Sequence, residues 1–163
     1  LRVADSGHFS ANGRDEAEFY LAVNPGEPMK ALGNIASGGE LSRIMLALKA
    51  VLADEEDTPT LIFDEIDAGI SGITAGKVAE KLRLIGKSRQ VICITHLPQI
   101  AAAADVHFVI RKEAEGHSVQ TRIHLLDEEA SVGELARLLG GASVTEHIVE
   151  SAREMKELAK SEI

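Results

Sequence analysis

Two short apolar runs with an amphipathic stretch between them constrain the fold of this chain more than any other feature. The runs cover residues 60–63 and 90–95, and the apolar positions from Ala75 to Ile85 recur at the spacing of one helix face. A strand, a helix and a second strand in that order favour parallel pairing. A third strand is predicted at residues 106–110. We therefore expect an α/β fold, with a layered, largely parallel sheet flanked by helices and extended by β-hairpins.

Further helices, strands and turns are predicted on both sides of this unit. They are strands at residues 1–4 and 17–23, turns at Asn12-Gly13 and Asn24-Pro25-Gly26, a helix from Leu41, an acidic loop at residues 54–57, a short helix at residues 99–104, a hairpin completed by residues 119–125, and helices that begin at Ser131-x-x-Glu134 and Ser143-x-x-Glu146. Each prediction follows from the period of the apolar residues or from turn and capping residues.

The composition indicates one compact domain, residues 1–163, with little affinity of its own for DNA. Of the 163 residues, 45% are hydrophobic, which is enough for one sizeable core. The formal net charge of −9 repels nucleic acid and anionic lipid, and 3% aromatic residues without Trp offer few surfaces for base stacking. Contact with DNA would require a local basic patch or another part of a larger protein.

The sequence favours a cytoplasmic protein without a membrane partner. Cys93, the single cysteine, cannot form a disulfide within the chain and fits a small buried side chain in a reducing compartment. No apolar stretch approaches the roughly 18 residues of a membrane span, and the N-terminus lacks the pattern of a signal peptide. Because the chain begins with Leu1 rather than Met, we expect a segment of a longer protein.

A glycine turn, Ser37-Gly38-Gly39-Glu40, leads into the first amphipathic helix. Backbone N–H groups in the first turn of a helix have no partners within the helix and favour an anion, and glycine lets a phosphate approach closely. The same residues also form a capping box, Ser37-x-x-Glu40, which would stabilise a helix without any ligand. Both interpretations stay open on this stretch alone.

Two carboxylates, Asp64 and Glu65, follow the first apolar run directly. Open α/β sheets bind ligands at the carboxyl ends of their strands. In phosphoryl transfer one acid helps to hold Mg²⁺, generally through its waters, and a second group orients or activates the attacking water. Asp64 fits the first role and Glu65 the second. The alternative is that the pair caps the next helix, although residues 66–72 lie between them.

His96 follows the second apolar run, so a parallel sheet would bring it to the same edge as the two acids. It could supply a hydrogen bond to a terminal phosphate or to the attacking water. The other histidines show no shared spacing typical of a metal site and are predicted to be surface or turn residues. They are His8, His107, His117, His124 and His147.

No phosphate-binding P-loop of the pattern G-x-x-x-x-G-K-[ST] is present. Gly86-Lys87-Ser88 fails because Lys81 stands where the first glycine belongs, and the stretch from Gly72 to Lys77 fails because its spacing is short and Val78 replaces the hydroxyl residue. The chain thus has a phosphate-facing turn and a water-activating pair without the cradle that normally accompanies them.

Five stretches in a fixed order resemble the C-terminal half of the ABC-type ATPase heads of SMC-like proteins, and among them the RecN-type proteins of bacterial DNA repair. They are NPGEP, ASGGELSRIMLALK, TLIFDEIDAGISG, VICITHLPQIAAAAD and ELARLLGG, and together they cover nearly the whole chain. SGGE alone marks any SMC-like head, whereas DEIDAGISG together with THLPQIA is more specific.

The resemblance implies a role for each motif. Residues 37–40 would be the ABC signature, which contacts the γ-phosphate of ATP bound to the opposite head. Asp64 and Glu65 would be the Walker B pair, and His96 the switch histidine. Residues 67–71 would be the D-loop, with Asp67, Ala68 and Gly69 at the head interface.

The resemblance also implies ATP and Mg²⁺ as cofactors, and an ATPase whose turnover drives engagement of two heads in a homodimer during double-strand break repair and recombination. Partners would be the missing Walker A half, the second head, and DNA through the complete protein. The expected location is the bacterial cytoplasm, in association with the nucleoid during repair. A transporter cassette is an alternative, although Glu40 stands where transporters usually have glutamine. A non-catalytic interaction module is another, although Asp64, Glu65 and His96 are intact.

The Walker A motif, the Q-loop and the coiled coil of the family are absent from these residues, and the signature begins Ile35-Ala36 rather than Leu-Ser. We therefore expect the chain alone to bind ATP very weakly and to hydrolyse none.

Overall fold

A computed structural model describes residues 1–22, 26–34, 37–52, 58–115 and 118–161. Several predicted features lie outside these residues. They are most of the turn at Asn24-Pro25-Gly26, the pair Ile35-Ala36, the acidic loop at residues 54–57, and His117.

The described residues form strands in the N-terminal part, an alternation of helices and strands in the middle, and two helices at the C-terminal end. The strands are β1 (Arg2–Ser10), β2 (Gly13–Glu18), β3 (Tyr20–Leu21), β4 (Lys30–Ala31), β5 (Thr60–Phe63), β6 (Gln90–Cys93), β7 (Phe108–Glu115) and β8 (Ser118–Leu125). The helices are α1 (Gly38–Val51), α2 (Gly72–Gly86), α3 (Pro98–Ala102), α4 (Glu128–Gly140) and α5 (Glu146–Ser161).

The α/β class is confirmed by the middle of the chain, where β5 and β6 pair in parallel across α2. Thr60 lies opposite Gln90 and Phe63 opposite Cys93, and the Ile94 N–H extends the ladder by donating to the Phe63 carbonyl at 3.0 Å. Both strands therefore end side by side. This register places the residues that follow β5 next to those that follow β6.

The predicted third strand does not join this parallel pair among the described residues. It continues to Glu115 as β7, and all eight of its residues pair antiparallel with β8. The predicted hairpin at residues 119–125 is thus confirmed. Since the partner strand matches β7 along its whole length, local pairing satisfies one edge of β7 without the parallel sheet. β1 with β2 and β3 with β4 form the other antiparallel pairs.

One face of β5 and β6 packs against α1 and α2 to form the larger apolar core. Its buried members are Leu46, Leu61, Phe63, Ile66, Ala75, Val78, Ala79, Leu82, Ile85 and Ile100. Burial of each large apolar side chain contributes about 1.5–3 kcal/mol. The opposite face of the strand pair is apolar but open, because Ile62 is 67% exposed and Ile94 48% exposed.

A second core lies between α3, α4 and α5. It contains Ala101, Ala102, Val132, Leu135, Ala136 and Ala152. The short helix α3 contributes Ile100 to the first core and the two alanines after it to the second. This helix therefore connects the site-bearing strands to the C-terminal helices.

The predicted starts of the last two helices are wrong by a few residues. Helix α4 begins at Glu128, because the Asp127 carboxylate accepts a hydrogen bond from the Ala130 N–H at 2.8 Å and caps the first turn. Ser131 consequently lies inside the helix, where it is 1% exposed. Helix α5 begins at Glu146, and its first amide bonds close on the Thr145 carbonyl rather than near Ser143.

The N-terminal strands also differ from their predicted bounds. The first strand extends to Ser10, and the stretch predicted as one strand at residues 17–23 is divided at Phe19 between β2 and β3. The Asn12-Gly13 turn is confirmed, and Gly13 takes φ +102°, a backbone conformation that glycine adopts readily.

Candidate functional site

The glycine turn forms the start of α1, and Ser37 is its cap. The Ser37 Oγ accepts a hydrogen bond from the Glu40 N–H at 3.4 Å, while the Leu41 N–H donates to the Ser37 carbonyl. The capping interpretation is therefore confirmed for the serine. Ser37 and Gly38 are nevertheless exposed, so the N-terminal end of this 14-residue helix remains open to an anion.

The two glycines of the turn allow α1 to approach the loop of residues 64–71, which follows β5. A Cβ on Gly39 would lie 2.7 Å from the Ala68 Cβ and 2.9 Å from the Glu65 carbonyl oxygen. A Cβ on Gly38 would lie 2.9 Å from the Glu65 carboxylate. Glycine is thus required here for contact within the chain, whether or not a ligand also approaches.

Two polar side chains of α1 hold this contact in place. The Ser42 hydroxyl donates to the Asp64 carbonyl at 2.9 Å. The Arg43 guanidinium donates to the Ile66 carbonyl at 3.2 Å and to the Ala68 carbonyl at 2.8 Å. These three bonds satisfy carbonyl groups of an irregular loop, and they fix the loop to α1.

The predicted acids lie at the carboxyl end of β5, and both side chains are exposed. The Asp64 carboxylate accepts a hydrogen bond from the Glu65 N–H at 2.9 Å. Glu65 has φ +55°, in the left-handed region that side-chain-bearing residues rarely occupy. A conformation of this kind persists only where surrounding contacts enforce it, and such residues cluster at functional sites.

Asp67 and His96 meet where the ends of β5 and β6 lie side by side. The Asp67 Oδ2 accepts hydrogen bonds from the Thr95 hydroxyl at 2.6 Å and from the His96 backbone N–H at 2.7 Å, and it lies 2.9 Å from the His96 Nδ1. Burial raises the pKa of Asp67, but these hydrogen bonds and the charge of His96 outweigh it, so the pKa is lower than usual.

The His96 ring lies beside a buried carboxylate on one side and is open on the other. Its side chain is 72% exposed, whereas that of Asp67 is 4% exposed. The carboxylate contacts Nδ1, which leaves Nε2 directed away from Asp67 and available to another group. His96 therefore lies on the same edge as the two acids, as the parallel sheet predicts.

The remaining site residues are distributed as follows. Ala68 is half-buried against Gly39, and Gly69 is exposed with φ +72°. The Asp67 carboxylate is buried within the chain. Of the three predicted interface residues, only Ala68 and Gly69 therefore reach the surface. Contact of residues 67–69 with a second head stays a prediction.

Among the described residues, Cys93 and the histidines other than His96 make none of the contacts that form this edge. Burial, followed by the charges of Asp67 and Asp64, raises the pKa of the half-buried Cys93 thiol to about 12. His8, His124 and His147 are on the surface as predicted, but His107 is not. Its Nδ1 lies 2.8 Å from the Ser131 hydroxyl at the edge of the second core.

The exposed edge combines the open start of α1, the carboxylates of Asp64 and Glu65, and the exposed imidazole of His96. Among the described residues no group of three His, Cys, Asp or Glu side chains could hold a metal ion by itself. A groove of about 570 Å³ lies elsewhere, between α2, α3 and α5, and none of the site residues lines it.

Sequence reasoning missed three residues of the site: Ser42, Arg43 and Thr95. Their roles depend on carbonyl or carboxylate groups more than 20 residues away along the chain. One signal was available for Thr95, because the register of two predicted parallel strands places residues 94–96 beside residues 64–67.

Comparison with curated proteins gives a consistent set of relatives. The chain is 49% identical over 153 residues to the DNA repair protein RecN of Halalkalibacterium halodurans, and 45% identical over 151 residues to that of Vibrio cholerae. These matches cover 94% and 93% of the chain. It is also 51% identical over 129 residues, 79% of the chain, to RecN of Treponema pallidum. The chain belongs to the RecN family.

The relationship to RecN concerns only part of the relatives. The chain spans 27% of the length of the first two RecN proteins and 22% of the third, and it corresponds to their C-terminal part. No family model matches the chain. The residues that the sequence analysis assigns to motifs, 37–40, 64–71 and 96, are those that the structure brings to one edge.

A solved structure from work on ATP-driven dimerization and DNA-stimulated activation of SMC ATPases superposes with a TM-score of 0.49 and 24% identity. The superposition covers 72% of this chain and 70% of that chain. This similarity is too low to add to the sequence relationship with RecN. In the described part of the chain, no helix combines the length and apolar character that a bilayer span requires.

Proposed function

We propose that this chain is the C-terminal half of a RecN-type ATPase head, in which residues 1–163 act as one unit. In the complete protein, ATP binding would engage two heads and hydrolysis would release them during repair of DNA double-strand breaks in the bacterial cytoplasm. The observation that carries the proposal is the contact between the signature turn, residues 37–40, and the loop of residues 64–71, where Gly39 lies against Ala68. This contact places a turn proposed for the ATP of the opposite head beside the acids proposed for the ATP of its own head.

Each side chain of the edge has a proposed role. Asp64 would hold Mg²⁺ through its waters, and Glu65 would orient and polarise the attacking water. His96 would contact the water or the terminal phosphate through Nε2. The Ser37 turn would offer its free N–H groups to the γ-phosphate of ATP held by the opposite head. Mg²⁺ neutralises charge that develops on the phosphates when it is bound.

The proposed partners are inferred from an exposed apolar surface and from the net charge of the chain. The exposed apolar face of β5 and β6, with Ile62, Ile92 and Ile94, supports packing by further residues of the same head. The Walker A half would supply them together with the phosphate cradle. DNA would be bound by the complete protein, since this chain carries a net charge of −9.

The two alternatives have less support. A transporter cassette is disfavoured by the RecN relationship over 94% of the chain. A non-catalytic module of the same fold is disfavoured by the left-handed backbone of Glu65, since strain of this kind is seldom kept without use.

The experiment that tests this proposal is ATP-dependent dimerisation of the full-length protein, measured by light scattering. Ser37→Arg fills the turn and removes the cap, whereas Ser37→Asp keeps a capping oxygen and adds a negative charge. We expect both variants to bind ATP on single heads but to fail to engage. Ser88→Arg adds the same charge on an exposed turn after α2 and should dimerise normally. Normal dimerisation of both Ser37 variants would reduce the turn to an ordinary helix cap.

A further inference from the structure

The groove between α2, α3 and α5 lies on a part of the surface that none of the proposed nucleotide-site residues reaches. One wall is a row of α2 residues between Gly76 and Lys87, and the other is a row of α5 residues between Ser151 and Ala159. At a rise of about 1.5 Å per residue, these rows are about 16 Å and about 12 Å long. The groove therefore has the length of roughly two to three helical turns.

The lining of the groove is largely apolar, and each wall carries an exposed leucine. Ala79, Ala103 and Met155 line it together with Leu84 on α2 and Leu158 on α5. Leu84 is 51% exposed and Leu158 56% exposed. Apolar area removed from water contributes about 25 cal/mol per Å². A concave surface with apolar side chains on both walls suits the apolar face of an amphipathic helix.

The α2 wall has a charge opposite to that of the whole chain. Residues 72–89 contain five basic residues and one acidic residue, whereas the chain has a formal net charge of −9. The one acid, Glu80, lies 3.5 Å from the Lys81 ammonium. Arg83 and Lys87 line the groove, and within the described part of the chain neither forms an ion pair. This wall thus offers two positive charges to an occupant.

We propose that the groove binds an amphipathic helical segment of another protein, with its apolar side chains between Leu84 and Leu158 and its acidic side chains beside Arg83 and Lys87. Helical segments are recognised in this way through apolar anchors that recur every three or four residues. Opposite charges across the contact would speed association and exclude partners with basic residues at the same positions. The inference goes beyond the proposed function and uses none of its site residues.

DNA suits this groove less well than a protein segment does. Glu80 and Glu154 also line it, the second of them on the α5 wall that faces away from the basic residues of α2. A nucleic acid carries negative charge along its whole length, so its phosphates would meet these carboxylates as well. Phosphates also gain nothing from contact with Leu84 and Leu158. A peptide helix can be acidic toward α2 and neutral or basic toward Glu154.

The first test selects short helix-forming peptides from a randomised displayed library on the full-length protein. Leu84→Asp serves for counter-selection, because a side chain that is 51% exposed should accept aspartate without unfolding the protein. Circular dichroism of the variant checks this. We expect selected peptides to carry apolar residues three or four positions apart and acidic residues along one flank. Selection of basic peptides, or of none that distinguish Leu84→Asp from the wild type, would overturn the proposal.

The second test reverses the charge of the α2 wall and measures peptide affinity by fluorescence anisotropy. The double variant Arg83→Glu, Lys87→Glu should bind the selected acidic peptide roughly threefold to tenfold more weakly, as expected for the loss of two exposed charge pairs. The same peptide with lysine in place of each glutamate should prefer the reversed variant. Lys112→Glu, at an exposed position on β7, is the control and should bind like the wild type. Failure of the reversed pair to recover affinity would contradict recognition by charge.

Three further outcomes would assign the groove to a different occupant and overturn the proposal. Peptide binding to the 163-residue chain but not to the full-length protein would mean that another part of the same protein fills the groove. Loss of self-association in Leu84→Asp would indicate a second copy, and loss of affinity for a DNA duplex in the charge-reversed variant, without peptide binding, would indicate nucleic acid. ATP-dependent dimerisation of both variants should be normal, so this inference and the proposed function fail separately.

Discussion

A Cβ atom built on Gly39 falls 2.7 Å from the Cβ of Ala68, a distance that side-chain carbons do not adopt. The start of α1 and the loop after β5 therefore touch through backbone and one methyl group. Backbone atoms cannot move aside as a flexible side chain does, since the Glu65 and Ala68 carbonyls lie at 2.9 and 3.0 Å from the same point. The turn at residues 37–40 and the loop that carries Asp64 and Glu65 are consequently held close together by this contact, in addition to the hydrogen bonds of Ser42 and Arg43.

Gly39→Ala should destabilise the chain by about 1–3 kcal/mol, the cost of overpacking a tight contact. Gly76→Ala is the matched control, because Gly76 lies within α2 and a Cβ there meets nothing within 4 Å. Alanine in a helix interior should stabilise by up to about 1 kcal/mol relative to glycine. Urea unfolding of both variants measures the difference. Equal free energies of unfolding for Gly39→Ala and Gly76→Ala would show that the contact at Gly39 is looser than described.

Stability should fall as the pH decreases through the range in which His107 titrates. Burial, and then the charge of Lys156, lower the pKa of His107, although Glu134 acts in the opposite direction. The unfolded chain therefore binds this proton more readily than the folded chain, and folding weakens as pH falls below the unfolded value of about 6.5.

His107→Gln removes the titrating ring and should make the free energy of unfolding less dependent on pH. The measurement is the free energy of unfolding in urea between about pH 7.5 and about pH 5.5, the range around the unperturbed histidine value. His147→Gln is the control, since His147 is 95% exposed on α5. An unchanged slope in His107→Gln would contradict the assignment of the effect to this partly buried ring.

The sequence predicts the exposed edge well because its signals are local. The apolar run at residues 60–63 ends immediately before Asp64, and Ser37 lies three residues before Glu40, so short-range rules place both groups. The parallel pairing of β5 and β6 then brings His96 to them.

The sequence does not predict the contact between Asp67 and His96, which joins residues 29 positions apart. Local patterns also compete, and the competition decides where α4 begins. Asp127 and Ser131 both suit a helix cap, but Ser131 bonds instead to His107 and Lys156 in the buried interior. Tertiary contacts of this kind override a capping pattern.

The 163 residues alone should bind ATP too weakly for a stoichiometric titration and should show no measurable hydrolysis. We expect weak binding because the chain contains no P-loop pattern that could surround the phosphates of ATP. Isothermal titration of ATP with Mg²⁺ into the purified chain, beside the full-length protein as positive control, makes the comparison. Tight 1:1 binding by the chain would mean that another of its segments cradles the nucleotide.

The most direct test of the proposed ATPase is the turnover of Glu65→Gln in the full-length protein. Glutamine keeps the shape of Glu65 and removes the charge, so hydrolysis should fall by about a hundredfold or more while ATP binding persists and the heads stay engaged. Glu80→Gln, an exposed glutamate on α2, controls for loss of a carboxylate outside the site. Wild-type turnover in Glu65→Gln would contradict the assignment of Glu65 to the reaction.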